Sequence, residues 1–283
     1  MSVRVTAPAK INLTLYVEGK RADGYHELTS VFQTVTLADT VILEQADHIK
    51  LSCSDPALPT DERNTAHRAA AAFFAATGIQ GGATIHIEKR IPQQAGLGGG
   101  SADAAGVLVG LNALYDAGLS TADLCRIGAS VGADVPFCVA GGTAMVTGIG
   151  EILRPLPPMP DCAIAIVKPP IGVSTKEAYQ AVDALPKSPA DRDAMCRALQ
   201  NGDLIAIARL LDNDFERALC LPEVERAKDQ LRSFSPLGVS MSGSGSAVFA
   251  LFDREETALA AAKATVGVFC RPSATGAAVT MEN

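Results

Sequence analysis

The chain contains no tryptophan, few aromatic residues of any kind (5%) and fewer basic than acidic side chains, 24 against 31. That balance disfavours a nucleic-acid partner, which needs a basic stripe for phosphates and aromatic faces for bases. No apolar run reaches the about 20 residues that cross a bilayer, so no membrane partner is expected. The first residues lack the basic region and apolar stretch of a leader peptide. Cysteines are odd in number (seven), scattered, and never in a C-x-x-C pair. They fit reduced thiols of a cytoplasmic protein better than disulfides or zinc ligands. His26, His48, His67 and His86 show no metal-ligand spacing.

What is present suits a sizeable core. Hydrophobic residues make up 48% of 283, enough for two compact lobes sharing a cleft. Ile11, Leu13, Leu15 and Val17 alternate with Asn12, Thr14 and Tyr16, which predicts a strand. Short strands are also predicted at 31–35, 40–44 and 49–53, a helix over 65–76 ending at Gly78, and a strand over 83–91. Ser101 reads as the N-cap of a helix carrying Leu108, Leu111 and Leu114, and Ser120 opens a capping box. Strands are predicted at 144–149 and 163–167. Between them, four prolines from Arg154 to Pro160 mark a boundary between lobes 1–155 and 156–283. The second lobe reads as helical from Ser174 to Phe234, with Pro222 in a first turn, and then as strands over 239–241 and 247–252. A helix over 255–265 and a strand near 277–281 complete an α/β pattern.

The strongest local signal is Pro92-Gln93-Gln94-Ala95-Gly96-Leu97-Gly98-Gly99-Gly100-Ser101, followed by Ala102. Four glycines in five positions let the backbone approach a ligand, and the helix behind adds unpaired N–H groups and its dipole. This is an anion cradle of the kind that holds a triphosphate. No Gly-Lys-Ser/Thr closes it, Ser101 stands where a dinucleotide fingerprint ends in glycine, and the H-R-D and D-F-G signatures of protein kinases are missing.

Three ordered segments resemble the motifs of the GHMP kinases: Pro8-Ala9-Lys10-Ile11-Asn12-Leu13, the glycine loop through Ala102, and Met241-Ser242-Gly243-Ser244-Gly245. Two further segments, Asp23-Gly24-Tyr25-His26 and Gly132-Ala133-Asp134-Val135-Pro136-Phe137, resemble the branch of that family whose acceptor alcohol carries a cytidyl diphosphate group. The resemblance implies an N-terminal lobe like ribosomal protein S5 domain 2, a ferredoxin-like C-terminal lobe, and ATP in the cleft. It implies γ-phosphoryl transfer to an alcohol, with ATP and a cytidyl diphosphate sugar-alcohol as the small-molecule partners.

Asp134 is then the base that takes the hydroxyl proton, and Lys10, expected at a sheet edge, stabilises developing charge beside it. Asn12 shares the face of Lys10, and the resemblance implies that it helps fix the acceptor. It also implies that Tyr25 and His26 receive the cytosine, with Thr175 and Tyr179, one helical turn apart, as a second wall, although a capped helix start with a packing tyrosine explains that pair equally well. Asn64 falls near the adenine, although a helix N-cap explains it equally well. Ser242, Gly243, Ser244 and Gly245 form a turn that closes the site. Magnesium between the phosphates is implied, with the Ser101 hydroxyl as a ligand and the remainder from phosphates and water. Homoserine, mevalonate and sugar kinases of the same family, and a silent nucleotide-binding regulator, are the competing readings. Nothing in the residues sets an oligomeric state.

Overall fold

Two long strands organise the first half of the chain in the computed structural model, which describes residues 2–280. β1 (Ser2–Lys20) and β2 (His26–Ala46) pair antiparallel along almost their whole length. Alternation drives this: Val5, Ala7, Ala9, Ile11 and Leu13 are all buried on one face. The register shifts between Pro8 and Lys10 and again between Asn12 and Thr14. Such irregularities re-aim side chains, and these two bracket Lys10 and Asn12. They also explain why residues 31–35 and 40–44 look like separate strands. The pattern slips between Thr34 and Ala38 while the backbone continues as one strand.

β3 (Lys50–Cys53) lies parallel to β4 (Gly82–Glu88), and β4 is antiparallel to β2. Between them runs α1 (Thr65–Thr77), capped by Asn64 at one end and closed by left-handed Gly78 at the other. Then come α2 (Gly99–Leu114), α3 (Thr121–Ala129), α4 (Val135–Ala140), β5 (Thr143–Gly148) and β6 (Ile152–Pro155). The capping box at Ser120 is present. α2 lies close to the sheet because Gly106 and Gly110 carry no side chain. A Cβ there would stand 2.8 Å from Val41 Cγ2 and 2.4 Å from Leu43 Cδ1.

The start of α2 corrects the expectation for Ser101. Gly98, with φ 71, is the N-cap, and the helix begins at Gly99. The Ala102 N–H donates to the Gly98 carbonyl at 2.8 Å, so Ser101 lies within the first turn and does not cap it.

The second half opens with β7 (Ala163–Val167), α5 (Thr175–Val182), α6 (Ala194–Gln200) and α7 (Leu204–Arg209). The two-residue β8 (Asp212–Asn213), α8 (Asp214–Leu219) and α9 (Pro222–Arg232) follow, with Pro222 in the first turn of α9. β9 (Gly238–Met241), β10 (Val248–Phe252), α10 (Glu255–Ala264), β11 (Val268–Cys270) and β12 (Ala278–Thr280) complete the chain. β11, β7, β10 and β9 form an antiparallel sheet in that order, the 4-1-3-2 arrangement of a βαββαβ ferredoxin-like unit. β8 and β12 instead return to pair with β1, one parallel and one antiparallel. The strand expected near 277–281 is β12, and Met281 lies outside the described residues. The seven cysteines are all free thiols. No helix among the described residues is long and apolar enough to cross a membrane.

Candidate active site

A cleft of about 660 Å³ opens between the glycine loop, the middle of β1, the start of α4, α5 and the turn after β9. Lys10, Asn12, Asn64, Asp134, Thr175 and Tyr179 line it, together with the chain from Pro92 to Ser101 and Gly243, Ser244 and Gly245. Ala102 and Ser242 are buried just behind.

At Lys10 the side of β1 away from β2 carries no strand among the described residues, because β12 pairs only Arg4–Thr6 and β8 only Thr14–Leu15, so Lys10 does lie at a local sheet edge. That edge is covered by the glycine loop, and Lys10 is 4% exposed. A buried ammonium needs partners, and the bracketed stretch of β1 supplies them. Lys10 Nζ donates to Asn12 Oδ1 at 2.8 Å, lies 3.5 Å from Asp134 Oδ2, and sits 4.5 Å from the centre of the Phe32 ring. Asn12 is held in turn, its Nδ2 donating to Ser30 Oγ at 3.0 Å. Asp134 occupies the N-cap position of α4, yet among the described residues its side chain makes no capping bond. Its carboxylate, about a third exposed, is therefore available to the cleft beside Lys10.

The loop and the closing turn interlock through their backbones. Gly96 has φ 73, and a Cβ on it would come within 1.9 Å of the Ser242 carbonyl oxygen. Ser242 Oγ donates to the Gly96 carbonyl at 2.9 Å and accepts the Asn12 N–H at 3.3 Å. The Ala247 N–H donates to the Ala95 carbonyl at 3.1 Å, and the Lys10 N–H to the Leu97 carbonyl at 3.0 Å. One buried serine thus touches the glycine loop and the Lys10–Asn12 strand together.

The opposite wall is aromatic. Tyr179 packs edge-on against Phe215 at 4.9 Å and stacks on His26 at 4.5 Å and 15°. Burial, with the Asp134 charge adding to it, pushes the Tyr179 phenol up to about 12, so it stays protonated. His26 is buried and shares a 2.8 Å hydrogen bond with Asp183 Oδ1. Tyr25 stands apart from this group, 61% exposed in the connection between β1 and β2. Thr175 Oγ1 and Ser244 Oγ are 3.4 Å apart across the rim. Asn64 is committed to structure at both ends of its amide, accepting from the Ala66 N–H and donating to the Pro59 carbonyl at 2.8 Å.

Sequence reasoning missed a buried cluster under the loop. Lys89 Nζ bonds Asp39 Oδ2 at 2.5 Å and Asp103 Oδ2 at 2.7 Å, while Asp39 Oδ1 accepts the Ile91 N–H at 2.8 Å. Asp103 Oδ1 has no hydrogen-bond partner among the described residues. Burial pushes the Asp103 carboxyl up to about 7, the Lys89 charge opposing and the Asp39 charge adding to the rise. The folded protein therefore retains a proton that the unfolded chain has released between about pH 4 and that value. Stability is greatest at the acid end of this window and falls as pH rises through it. Thermal melting from about pH 5 to about pH 8 should show this decline in the wild type and a shallower one in Asp103→Asn. Equal slopes would mean that Asp103 does not titrate there.

With this geometry in place, comparison with known proteins defines the class. The description "GHMP kinases N terminal domain" matches residues 64–142, and "GHMP kinases C terminal" matches residues 195–266. The chain belongs to the GHMP kinase family. Among curated relatives, 4-diphosphocytidyl-2-C-methyl-D-erythritol kinase of Carboxydothermus hydrogenoformans is 51% identical over 251 residues, 87% of each chain. The Geobacillus kaustophilus protein of the same name is 45% identical over 260 residues, 90% of each chain. A crystal structure of 4-(cytidine 5'-diphospho)-2C-methyl-D-erythritol kinase superposes with TM-score 0.79 at 37% identity, covering 96% of this chain and 98% of the other. Homoserine kinase from Cytophaga hutchinsonii shares the fold, with TM-score 0.77 at 24% identity over 99% and 97% of the two chains.

Proposed function

We propose that this chain transfers the γ-phosphoryl group of ATP to the 2-hydroxyl of 4-diphosphocytidyl-2-C-methyl-D-erythritol, a step of non-mevalonate isoprenoid precursor synthesis. The observation that carries the reading is the Lys10–Asp134 pair, 3.5 Å apart, set between a glycine-lined anion cradle and an aromatic wall. Curated relatives of that name, 43–51% identical over most of the chain, support the acceptor.

In this mechanism the loop from Pro92 to Ala102 holds the triphosphate, its backbone N–H groups and the first turn of α2 facing the negative oxygens. The acceptor hydroxyl attacks the γ-phosphorus. A new O–P bond forms, the bond to the β–γ bridging oxygen breaks, ADP leaves, and Asp134 takes the hydroxyl proton. Lys10 lies beside the oxygens where charge develops, and Asn12 orients it. His26, Tyr179 and Thr175 receive the cytidine, with Tyr25 adding a second ring face, while Asn64 lies on the adenine side. The turn from Ser242 to Gly245 closes the donor half.

The residues suit a magnesium ion held chiefly by phosphate oxygens and water. Ser101 offers a half-buried hydroxyl on the cleft wall, and no group of three or more His, Cys, Asp or Glu able to hold a metal occurs among the described residues. When bound, such an ion neutralises charge between the phosphates.

An acceptor panel read by ADP release tests the assignment. Turnover should appear with the cytidyl diphosphate alcohol and fall by at least about a hundredfold in kcat/KM when cytosine is absent. Efficient phosphorylation of homoserine, mevalonate or galactose in its place would overturn the acceptor. No transfer to any alcohol would favour a silent nucleotide-binding regulator.

A further inference from the structure

The chain Asn213-Asp214-Phe215, where β8 passes into α8, joins three parts of the cleft, and the mechanism above uses none of its polar groups. Asn213 is 2% exposed. Its Nδ2 donates to the Met241 carbonyl at 2.8 Å and to the Gly243 carbonyl at 2.9 Å, the residues on either side of Ser242. Its Oδ1 accepts the Phe215 N–H at 2.9 Å and the Glu216 N–H at 3.4 Å, capping α8. The next residue, Asp214, accepts the Val17 N–H of β1 at 2.7 Å, and Phe215 supports Tyr179.

We propose that Asn213 is a positioning residue for phosphoryl transfer: one buried amide fixes the Ser242 turn, and through it the glycine loop, relative to the wall that presents the acceptor. Both hydrogens of its amide are used on carbonyls of the turn, and its oxygen is used on the helix that carries Phe215. Other bonds of the turn run to itself and to the glycine loop. The Ser242 N–H donates to the Ala247 carbonyl at 2.9 Å, the Gly245 N–H to the Ser242 carbonyl at 3.0 Å, and the Ala247 N–H to the Ala95 carbonyl at 3.1 Å, while the serine hydroxyl faces Gly96 and Asn12. Asn213 adds the tie from the Met241 and Gly243 carbonyls to the helix that carries Phe215. Without the amide, the donor loop and the acceptor wall would lose a shared reference point. Misplacement of reacting groups by about 1 Å costs on the order of a hundredfold in rate.

The cap and the clamp can be separated, because Asn, Asp and Ser cap helices about equally well. Asn213→Ser retains the cap but cannot span to both carbonyls. Asn213→Asp retains the cap and sets a carboxylate against two carbonyl oxygens, an arrangement relieved when the carboxyl is protonated and can donate once.

The experiment measures kcat and both KM values for wild type and the two variants across pH, alongside thermal melting. Wild-type turnover is the reference, so failure of the proposed acceptor would show in the wild type and not as a difference between variants. We expect Asn213→Asp to lose about a hundredfold in kcat near pH 8, and Asn213→Ser about tenfold, with smaller changes in KM. The ratio of Asn213→Asp to wild type should rise as pH falls, while the Asn213→Ser ratio stays flat. Folded variants with kcat within about twofold of wild type would reduce Asn213 to a helix cap and overturn the proposal. So would a flat pH ratio for a folded Asn213→Asp. If Asn213→Asp does not fold, Asn213→Ser alone decides by its kcat. If neither cap-retaining variant folds, the residue is a folding determinant and the positioning role is rejected.

Discussion

Asp134→Asn should lower kcat by about a hundredfold to ten-thousandfold while leaving the protein folded and able to bind ATP, because general-base assistance contributes on that scale. The substitution is nearly isosteric. Among the described residues the Asp134 side chain caps nothing, so α4 loses no stabilising bond. Lys10 loses an ion partner at 3.5 Å but retains its 2.8 Å bond to Asn12 Oδ1 and its place over Phe32. What disappears is the carboxylate that we propose takes the hydroxyl proton. Stopped ADP-release assays at saturating substrates, with nucleotide affinity measured separately, make the distinction. Turnover close to wild type would remove Asp134 from the base role and leave Lys10 as electrostatic support alone.

Gly96→Ala should cripple the donor half more broadly, raising the ATP Kd by at least about tenfold and lowering the melting temperature by several degrees. Two costs combine. A side chain at φ 73 occupies the left-handed region, unfavourable by about 1–2 kcal/mol. Its Cβ would also lie 1.9 Å from a backbone oxygen of Ser242, which cannot rotate away as a side chain would. Gly100→Ala is the matched comparison. That position is already helical, and its Cβ would meet only the Thr65 hydroxyl, at 3.1 Å. Titration calorimetry and melting of both variants should separate them clearly. Equal tolerance at the two positions would mean that the loop shifts freely against the turn and that the interlock is incidental.

The sequence was most informative where one short stretch determines its own geometry. The alternation around Ile11, the capping box at Ser120, the left-handed close at Gly78 and the glycine loop all depend on neighbours within a few residues, and each is found in the structure. Long-range pairing was less visible. Residues 31–35 and 40–44 read as separate strands because a register shift, invisible without the partner strand, interrupts their pattern. Lys10 lies at a sheet edge as its sequence suggests, but its burial was not visible, because the cover over that edge is the glycine loop, whose Leu97 carbonyl accepts the Lys10 N–H.

Site residues divided in the same way. Lys10, Asp134 and the loop belong to motifs with a local signature. Lys89, Asp39 and Asp103 converge from three elements, and no spacing announces them. Nothing in the local pattern singles out Asn213 as a site residue. An asparagine before an acidic residue and an apolar one suggests a helix cap, and it is one, but the other end of its amide is satisfied by Met241 and Gly243. Ser101 shows the converse error. It has the chemistry of a cap, but the preceding glycines take up the helical turn first.

The backbone-to-backbone seam between Gly96 and Ser242 bears on how such an enzyme can acquire a new alcohol to work on. Where main chain fills the space, ordinary side-chain replacement has nothing to adjust, and any enlargement strikes an immovable oxygen. The donor half is therefore closed to gradual change. Variation is left to the rim carried by Thr175 and Tyr179, where one side chain can be exchanged for another without disturbing the seam. A family built on this plan can diversify in what it phosphorylates while keeping one way of holding what it phosphorylates with.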